Sequence, residues 1–290
     1  MSHRDSLHRF LFERLAARGQ FIRLDASWQT VLERRDYPPV VRQILGEAMA
    51  AAALLSATIK FDGLLTLQIQ SQGSLRLLAV QVTSKHTLRG LARWDSDPQP
   101  QPLRELCSDG TLVLTIDPGT GHEPYQGMVK LQGDTLAEAL EDYFVRSEQL
   151  PTRIHLTADT QTAAGLLLQQ LPGATSADPD AWNRLGTLAA TIQDTELLTL
   201  DAPTLIQRLF HEDDLRIFTP ESFRFRCNCS RERTAAMLRA LGEIELRQIL
   251  DARTTLHIDC EFCGHRYAFE PIDIAGLSTV LNSTSVKTRH

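Results

Sequence analysis

The alternation of apolar and polar positions changes period several times along the chain. Residues 21–24, Phe21-Ile22-Arg23-Leu24, are a short strand candidate. Over residues 40–59, Val40, Val41, Ile44, Leu45, Ala48, Met49, Ala52 and Leu55 recur at helical spacing, and the second half is apolar around most of its circumference. Such a helix is expected to be buried on several sides. Leu65, Leu67 and Ile69 then alternate with Thr66, Gln68 and Gln70, which is strand periodicity. The turn Ser71-Gln72-Gly73-Ser74 leads into an apolar run over 75–82, so the two predict a hairpin. Leu112, Leu114 and Ile116 repeat the alternation before Asp117-Pro118-Gly119, with residues 126–131 as the partner strand. Leu136, Leu140, Tyr143 and Phe144 have helical spacing, and residues 154–158 and 165–171 read as further strands. Strands in hairpin-like pairs predict an α+β domain with antiparallel sheets over residues 1–171.

A second region, residues 172–218, opens on Pro172-Gly173-Ala174-Thr175-Ser176-Ala177-Asp178-Pro179, a linker by composition. Trp182, Leu185, Leu188 and Ile192 make one helical stripe. Asp201 can cap a second helix, with Pro203 in its first turn and Leu205, Ile206, Leu209 and Phe210 as its stripe. Helices this short are marginal unless something packs on them. Periodicity alone favours an ordinary helical subdomain over a metastable linker. A third region, residues 219–290, holds a cysteine cluster and ends in a polar tail from Asn282.

At 290 residues the chain is long enough for about two domains. A net charge of −6 favours solubility and argues against broad electrostatic capture of nucleic acid or anionic lipid. Residues 1–19 are too rich in charge for a secretion signal. The most apolar stretch, residues 48–59, is too short to span a bilayer. Both features lead us to expect a cytoplasmic protein, where thiols stay reduced.

In that compartment the five cysteines are informative. Cys107 stands alone before Ser108-Asp109-Gly110, with no partner base in view. The others form Cys227-Asn228-Cys229, thirty intervening residues, then Cys260-Glu261-Phe262-Cys263. Phe223, Phe225 and Cys227 share one strand parity, as do Leu256, Ile258 and Cys260, so each pair ends a short strand. Gly264 allows a tight knuckle turn, with Tyr267 and Phe269 on the returning arm. Ser230 can cap a helix over 231–241, Gly242 can end it, and residues 243–250 can form another. Four thiolates at the corners of a tetrahedron make a closed structural zinc site. Bound sulfur is held as thiolate, the form oxidants attack, and each pair can close a small disulfide ring. Spacing alone leaves open a plain zinc ribbon and a redox-responsive centre.

Other chemistries fare less well. A nucleic-acid-binding finger would be basic, yet over residues 219–270 eight arginines meet eight acidic residues. The cluster Arg224, Arg226, Arg231 and Arg233 keeps that reading open. A thioredoxin-like site needs a helix after Cys-x-x-Cys, whereas Gly264 and a strand follow Cys263. A zinc hydrolase needs an open coordination position, which four cysteines do not leave, and His257 and His265 read as bystanders. The polar-rich Glu123-Pro124-Tyr125-Gln126-Gly127 and Tyr143 to Gln149 offer no nucleophile with a base, phosphate loop or metal set.

The same residues carry a family resemblance over nearly the whole chain. Leu45-Gly46-Glu47, Lys60-Phe61-Asp62-Gly63, Tyr125-Gln126-Gly127, Tyr143-Phe144-Val145-Arg146-Ser147-Glu148-Gln149, Arg208-Leu209-Phe210-His211-Glu212, Phe225-x-Cys227-x-Cys229-Ser230-Arg231-Glu232-Arg233 and Cys260-x-Phe262-Cys263 carry it. The chain resembles the thirty-three-kilodalton heat-shock chaperonins, redox-regulated holdases. The resemblance implies a β/α/β layered N-terminal domain with a buried central helix, a helical linker and a small Cys₄ zinc domain. It implies one Zn²⁺ on Cys227, Cys229, Cys260 and Cys263 in the reduced, inactive state. Peroxide with heat, or hypochlorite, would join Cys227 to Cys229 and Cys260 to Cys263, release the metal, and unfold the switch and the linker. The exposed apolar surface, with Leu185, Leu188, Ile192, Leu205, Leu209 and Phe210 as candidates, would hold unfolding client proteins without ATP. The oxidised form would be a homodimer that hands clients to ATP-dependent foldases, with no enzymatic activity.

Overall fold

In a computed structural model the chain forms two compact units, Met1–Arg226 and Cys227–His290. The structure describes residues 5–277 apart from 60, 96–97, 120–122, 173–177, 179 and 242–254. Gly242, the second helix expected over 243–250, most of the composition-defined linker opening and the polar tail lie outside the described residues.

In the first unit, β1 (Ser6–Phe12) and β2 (Ala17–Leu24) form a hairpin, followed by α1 (Ala26–Leu32) and α2 (Pro39–Thr58). Next come β3 (Leu64–Gln70), β4 (Leu75–Thr83), β5 (Thr87–Trp94), α3 (Leu103–Leu106), β6 (Thr111–Asp117) and β7 (Tyr125–Lys130). α4 (Leu136–Tyr143) runs into a π-helical turn, Phe144–Glu148, before β8 (Thr152–Ala158) and β9 (Ala163–Gln170). Three short helices follow, α5 (Ala181–Ala189), α6 (Asp194–Thr199) and α7 (Ala202–Phe210). Short strands β10 (Leu215–Ile217), β11 (Glu221–Ser222) and β12 (Arg224–Phe225) end the unit.

The strands make two six-stranded sheets. One has the order β10-β1-β2-β9-β8, with β11 also on β1; the other has the order β12-β5-β4-β3-β6-β7. All pairings are antiparallel except β12 with β5. Both expected hairpins are present, Leu67 facing Val80 in one and Leu114 facing Gly127 in the other. The strand expected over 21–24 is β2, which starts earlier, at Ala17.

α2 lies between the two sheets and packs on both. Its centre is small-residue rich, with Ala48 and Ala50 to Ala53 all buried, so both sheets can approach it. Gly46 shows how close they come: a Cβ there would stand 2.4 Å from the Ala158 Cβ. α2 corrects the expectation that no segment is long enough to cross a membrane, because its 20 residues meet that test by length and composition. Its burial between sheets identifies it instead as the core helix of the unit.

A second apolar cluster lies on the outer face of the first sheet. Phe10, Phe12, Phe21, Leu166 and Leu168 are covered there by Leu185, Leu205, Ile206, Leu209 and Phe210, with Leu188 and Ile192 partly buried against them. The side chains of β9 therefore divide, Leu167 facing α2 and Leu166 and Leu168 facing α5 to α7. α7 begins as its sequence anticipates, with the Asp201 carboxylate accepting from the Thr204 N–H at 2.9 Å. The rings of Phe10 and Phe12 both pack on Phe210, at 6.0 and 5.2 Å between centroids.

Glu47 of α2 lines a cleft with Asp194 of α6, Glu138 and Glu141 of α4, and His155 of β8. Burial pushes its carboxyl up to about 7; the Gln43 amide, donating at 3.0 Å, opposes this, and Asp194 adds to it. A raised carboxyl favours the folded state most at low pH, and this contribution is lost as pH rises from the ordinary 4.5 through 7. Glu47→Gln should therefore stabilise the chain relative to the parent above that window and much less below it, as read by urea unfolding on both sides. An equal difference at both pH values would contradict this placement.

Candidate metal centre

In the second unit α8 (Arg231–Leu241) precedes a hairpin of β13 (Leu256–Asp259) and β14 (Arg266–Phe269), with Leu256 opposite Phe269 and Asp259 opposite Arg266. Among the described residues its buried apolar set is only Ala235, Leu238, Phe269, Ile274 and Leu277. A core this thin supplies little folding free energy by itself.

Both cysteine pairs sit where local backbone chemistry can hold them. After Cys227-Asn228-Cys229, Ser230 caps α8, its hydroxyl accepting from the Arg233 N–H at 3.2 Å. The Arg233 guanidinium donates to the Asn228 carbonyl at 2.8 Å, which fixes the first turn. In the second turn the Gly264 N–H reaches the Cys260 carbonyl at 2.7 Å, and the Cys260 N–H reaches the His265 carbonyl at 2.9 Å. Gly264 has φ +69°, a left-handed conformation that glycine adopts without a Cβ penalty. Beneath this turn Asp259 accepts two hydrogen bonds from Arg266, at 2.7 and 2.9 Å. Arg231 of α8 lies 4.4 Å over the Phe269 ring, donates to the Ala268 carbonyl and pairs with Asp273 at 2.7 Å.

These contacts bring the four predicted cysteines together. Their Sγ atoms all lie within 4.8 Å of one another, and each residue is half-buried. Two close approaches run between the turns, Cys227 to Cys260 at 3.7 Å and Cys229 to Cys263 at 3.5 Å. A tetrahedral ion with bonds of about 2.3 Å needs sulfurs about 3.8 Å apart. The donor set therefore fits a four-coordinate ion and leaves no open position for a reacting group. Burial pushes the Cys260 and Cys263 thiols up, and hydrogen bonds with Cys227 and, at Cys263, Cys229 add to this. A central cation is what would hold such a set as thiolates.

Tyr267 belongs to the site in a way that spacing did not indicate: its hydroxyl donates to Cys229 Sγ at 3.1 Å. Its place on the returning arm was legible, but its reach to the other cysteine pair depends on the folded hairpin. His265 contributes its backbone carbonyl, and its ring packs edge-on to Tyr267. Cys107 caps α3 in the core of the first unit, where burial pushes its thiol up to about 12. The six apolar residues singled out in the linker lie in the first unit, in or against the cluster on the outer sheet face.

A family model described as Hsp33 protein matches residues 5–270. The 33 kDa chaperonin of Nitrosococcus oceani is 49% identical, over 100% of both chains. That of Methylobacillus flagellatus is 46% identical, over 95% of this chain and 94% of its own. The crystal structure of a 33 kDa chaperonin from Thermotoga maritima has the same fold, with a TM-score of 0.80 at 21% identity, covering 96% of this chain and 99% of that one.

Cobalt(II) should bind the reduced chain at one equivalent with the absorption of a tetrahedral thiolate site. Tyr267→Phe, which removes one hydrogen bond to a ligand sulfur, should weaken that binding about tenfold. An unchanged affinity would remove Tyr267 from the site's supporting contacts.

Proposed function

The chain belongs to the Hsp33 family, and from that premise we propose that it is an ATP-independent holdase switched on by oxidation of its four-cysteine centre. The observation that carries this reading is the meeting of four half-buried sulfurs within 4.8 Å in a unit whose described residues form only a thin core. Zn²⁺, when bound there, would supply folding free energy on the order of 10 kcal/mol. Cys227, Cys229, Cys260 and Cys263 would hold it in the reduced chain.

Oxidation joins Cys227 to Cys229 and Cys260 to Cys263. Each pair of thiolates gives up two electrons, and one peroxide accepts them with two protons from solvent to leave as two waters. All four sulfurs lie within 4.8 Å of one another in the folded unit, so proximity there does not select the pairing. The pairing is the one the family resemblance implies, each bond closing a small ring between cysteines with one or two residues between them. With its ligands consumed, the thin-cored unit loses order, and the loss spreads into residues 172–218. α5, α6 and α7 are nine, six and nine residues long and depend on packing for their stability. Their release uncovers Leu185, Leu188, Ile192, Leu205, Leu209 and Phe210, and the aromatic sheet face they cover. Contiguous apolar surface of this kind binds unfolding proteins. The function is one of binding rather than catalysis. The oxidised form acts as a homodimer in the cytoplasm and passes clients to ATP-dependent foldases.

Peroxide at mild heat should consume four thiols, release one zinc per chain and turn on suppression of client aggregation. A plain zinc ribbon would keep its metal or lose it without gaining that activity. Leu205→Ser with Leu209→Ser opens two buried sites, each costing about 2–5 kcal/mol. The reduced double variant should suppress aggregation and show protease cleavage within residues 180–212. A reduced variant that stays inactive and protected would contradict the latch role of these helices.

A further inference from the structure

The last six residues of the first unit, 221–226, join both sheets. β11 pairs with β1, Ser222 opposite Ser6 and Glu221 opposite Leu7, and the Phe223 N–H bonds the Asp5 carbonyl at 2.9 Å. The strand then crosses to the other sheet. There β12 runs parallel to β5, and the N–H groups of Arg224 and Arg226 bond the carbonyls of His86 and Leu88, both at 3.1 Å. Side chains alternate along the segment. Phe223 is buried in the main core and stacks on the His86 ring at 4.9 Å, Phe225 packs partly against the same core, and Ser222, Arg224 and Arg226 face solvent. Glu221 pairs with Arg9 and with His86, the latter at 3.2 Å.

Main-chain bonds to a sheet edge with alternate side chains in apolar sites are how sheets capture extended peptides. β11 and β12 are two residues each, so little backbone pairing holds them. Arg226 directly precedes Cys227, the first ligand. Release of this segment would leave β1 and β5 with open edges, which pair readily with another strand.

We infer that the edge of β5, with the adjoining end of β1, is a client-binding site that residues 221–226 occupy as an internal mimic in the reduced chain. Its ligand is an extended stretch of an unfolding protein with aromatic or large apolar residues at alternate positions. The inference rests on the holdase reading and names where that activity takes hold of its client. Binding is by backbone pairing, so it tolerates many sequences.

The test is hydrogen exchange over residues 86–92 of the full-length chain. One probe is a synthetic peptide of residues 219–226, and a control peptide carries Ser for Phe223 and Phe225. The other probe is carboxymethylated α-lactalbumin, a permanently unfolded client. In the oxidised chain, the first peptide and the client should each slow exchange there about tenfold. The control peptide should not, and none should act on the reduced chain. The first peptide should also compete with client in an aggregation assay.

An oxidised chain that suppresses aggregation while residues 86–92 exchange freely with client bound overturns the edge site and leaves the holdase reading standing. An oxidised chain that suppresses no aggregation overturns both. Protection of β5 that rises with chain concentration in the absence of client assigns the edge to a second copy and overturns the inference.

Discussion

Four sulfurs cannot share one small volume as thiolates unless a cation sits among them. The described part of the second unit has little else to hold it: α8, a short helical segment over 271–277, one hairpin and a handful of buried apolar side chains. Its other ties, such as Arg231 to Asp273 and Arg266 to Asp259, are exposed ion pairs of the kind that contribute little. Stability in this unit thus leans on a cluster of half-buried sulfurs, which oxidants attack. In a larger domain the same chemistry would remove a small share of the total, and the fold would survive it.

The first unit distributes its stability in the opposite way. Its core is continuous through both sheets and α2, and does not depend on the metal ligands. Its outer layer is different. α5 to α7 are short, and their largest apolar residues all point at one sheet face. Losing these helices would leave the β/α/β sandwich intact while uncovering Phe10, Phe12, Phe21, Leu166 and Leu168. The proposed holdase role rests on this division between a part that would stay folded and a part that would let go. The junction is short: residues 221–226 are bonded to both sheets, and the first ligand follows at once.

How much of this could be read from the chain depended on how each element is covered. The runs at Leu65 to Ile69 and Leu112 to Ile116 showed themselves because one side of each strand carries polar residues. β1 did not, because Leu7 faces the main core while Phe10 and Phe12 face the outer cluster, leaving no polar face to mark the period. β5 was hidden by Gly90, which leaves room for Met49 where a large apolar residue would have shown the alternation. The α7 start was legible because a cap is local, Asp201 acting on Thr204. The four-cysteine cluster was legible because the spacing within each pair is short and fixed along the chain. Tyr267 was not, since its bond to Cys229 joins residues 38 apart through a hairpin register.

The central claim is that loss of the sulfur-held ion loosens helices belonging to a different folding unit. Titrating peroxide against the reduced, zinc-loaded chain at mild heat, while following released metal and hydrogen exchange over residues 181–210, tests it directly. Exchange there should rise in step with metal release, while residues 64–83 of the central hairpin stay protected. Helices that remain protected after the metal has gone would contradict the account.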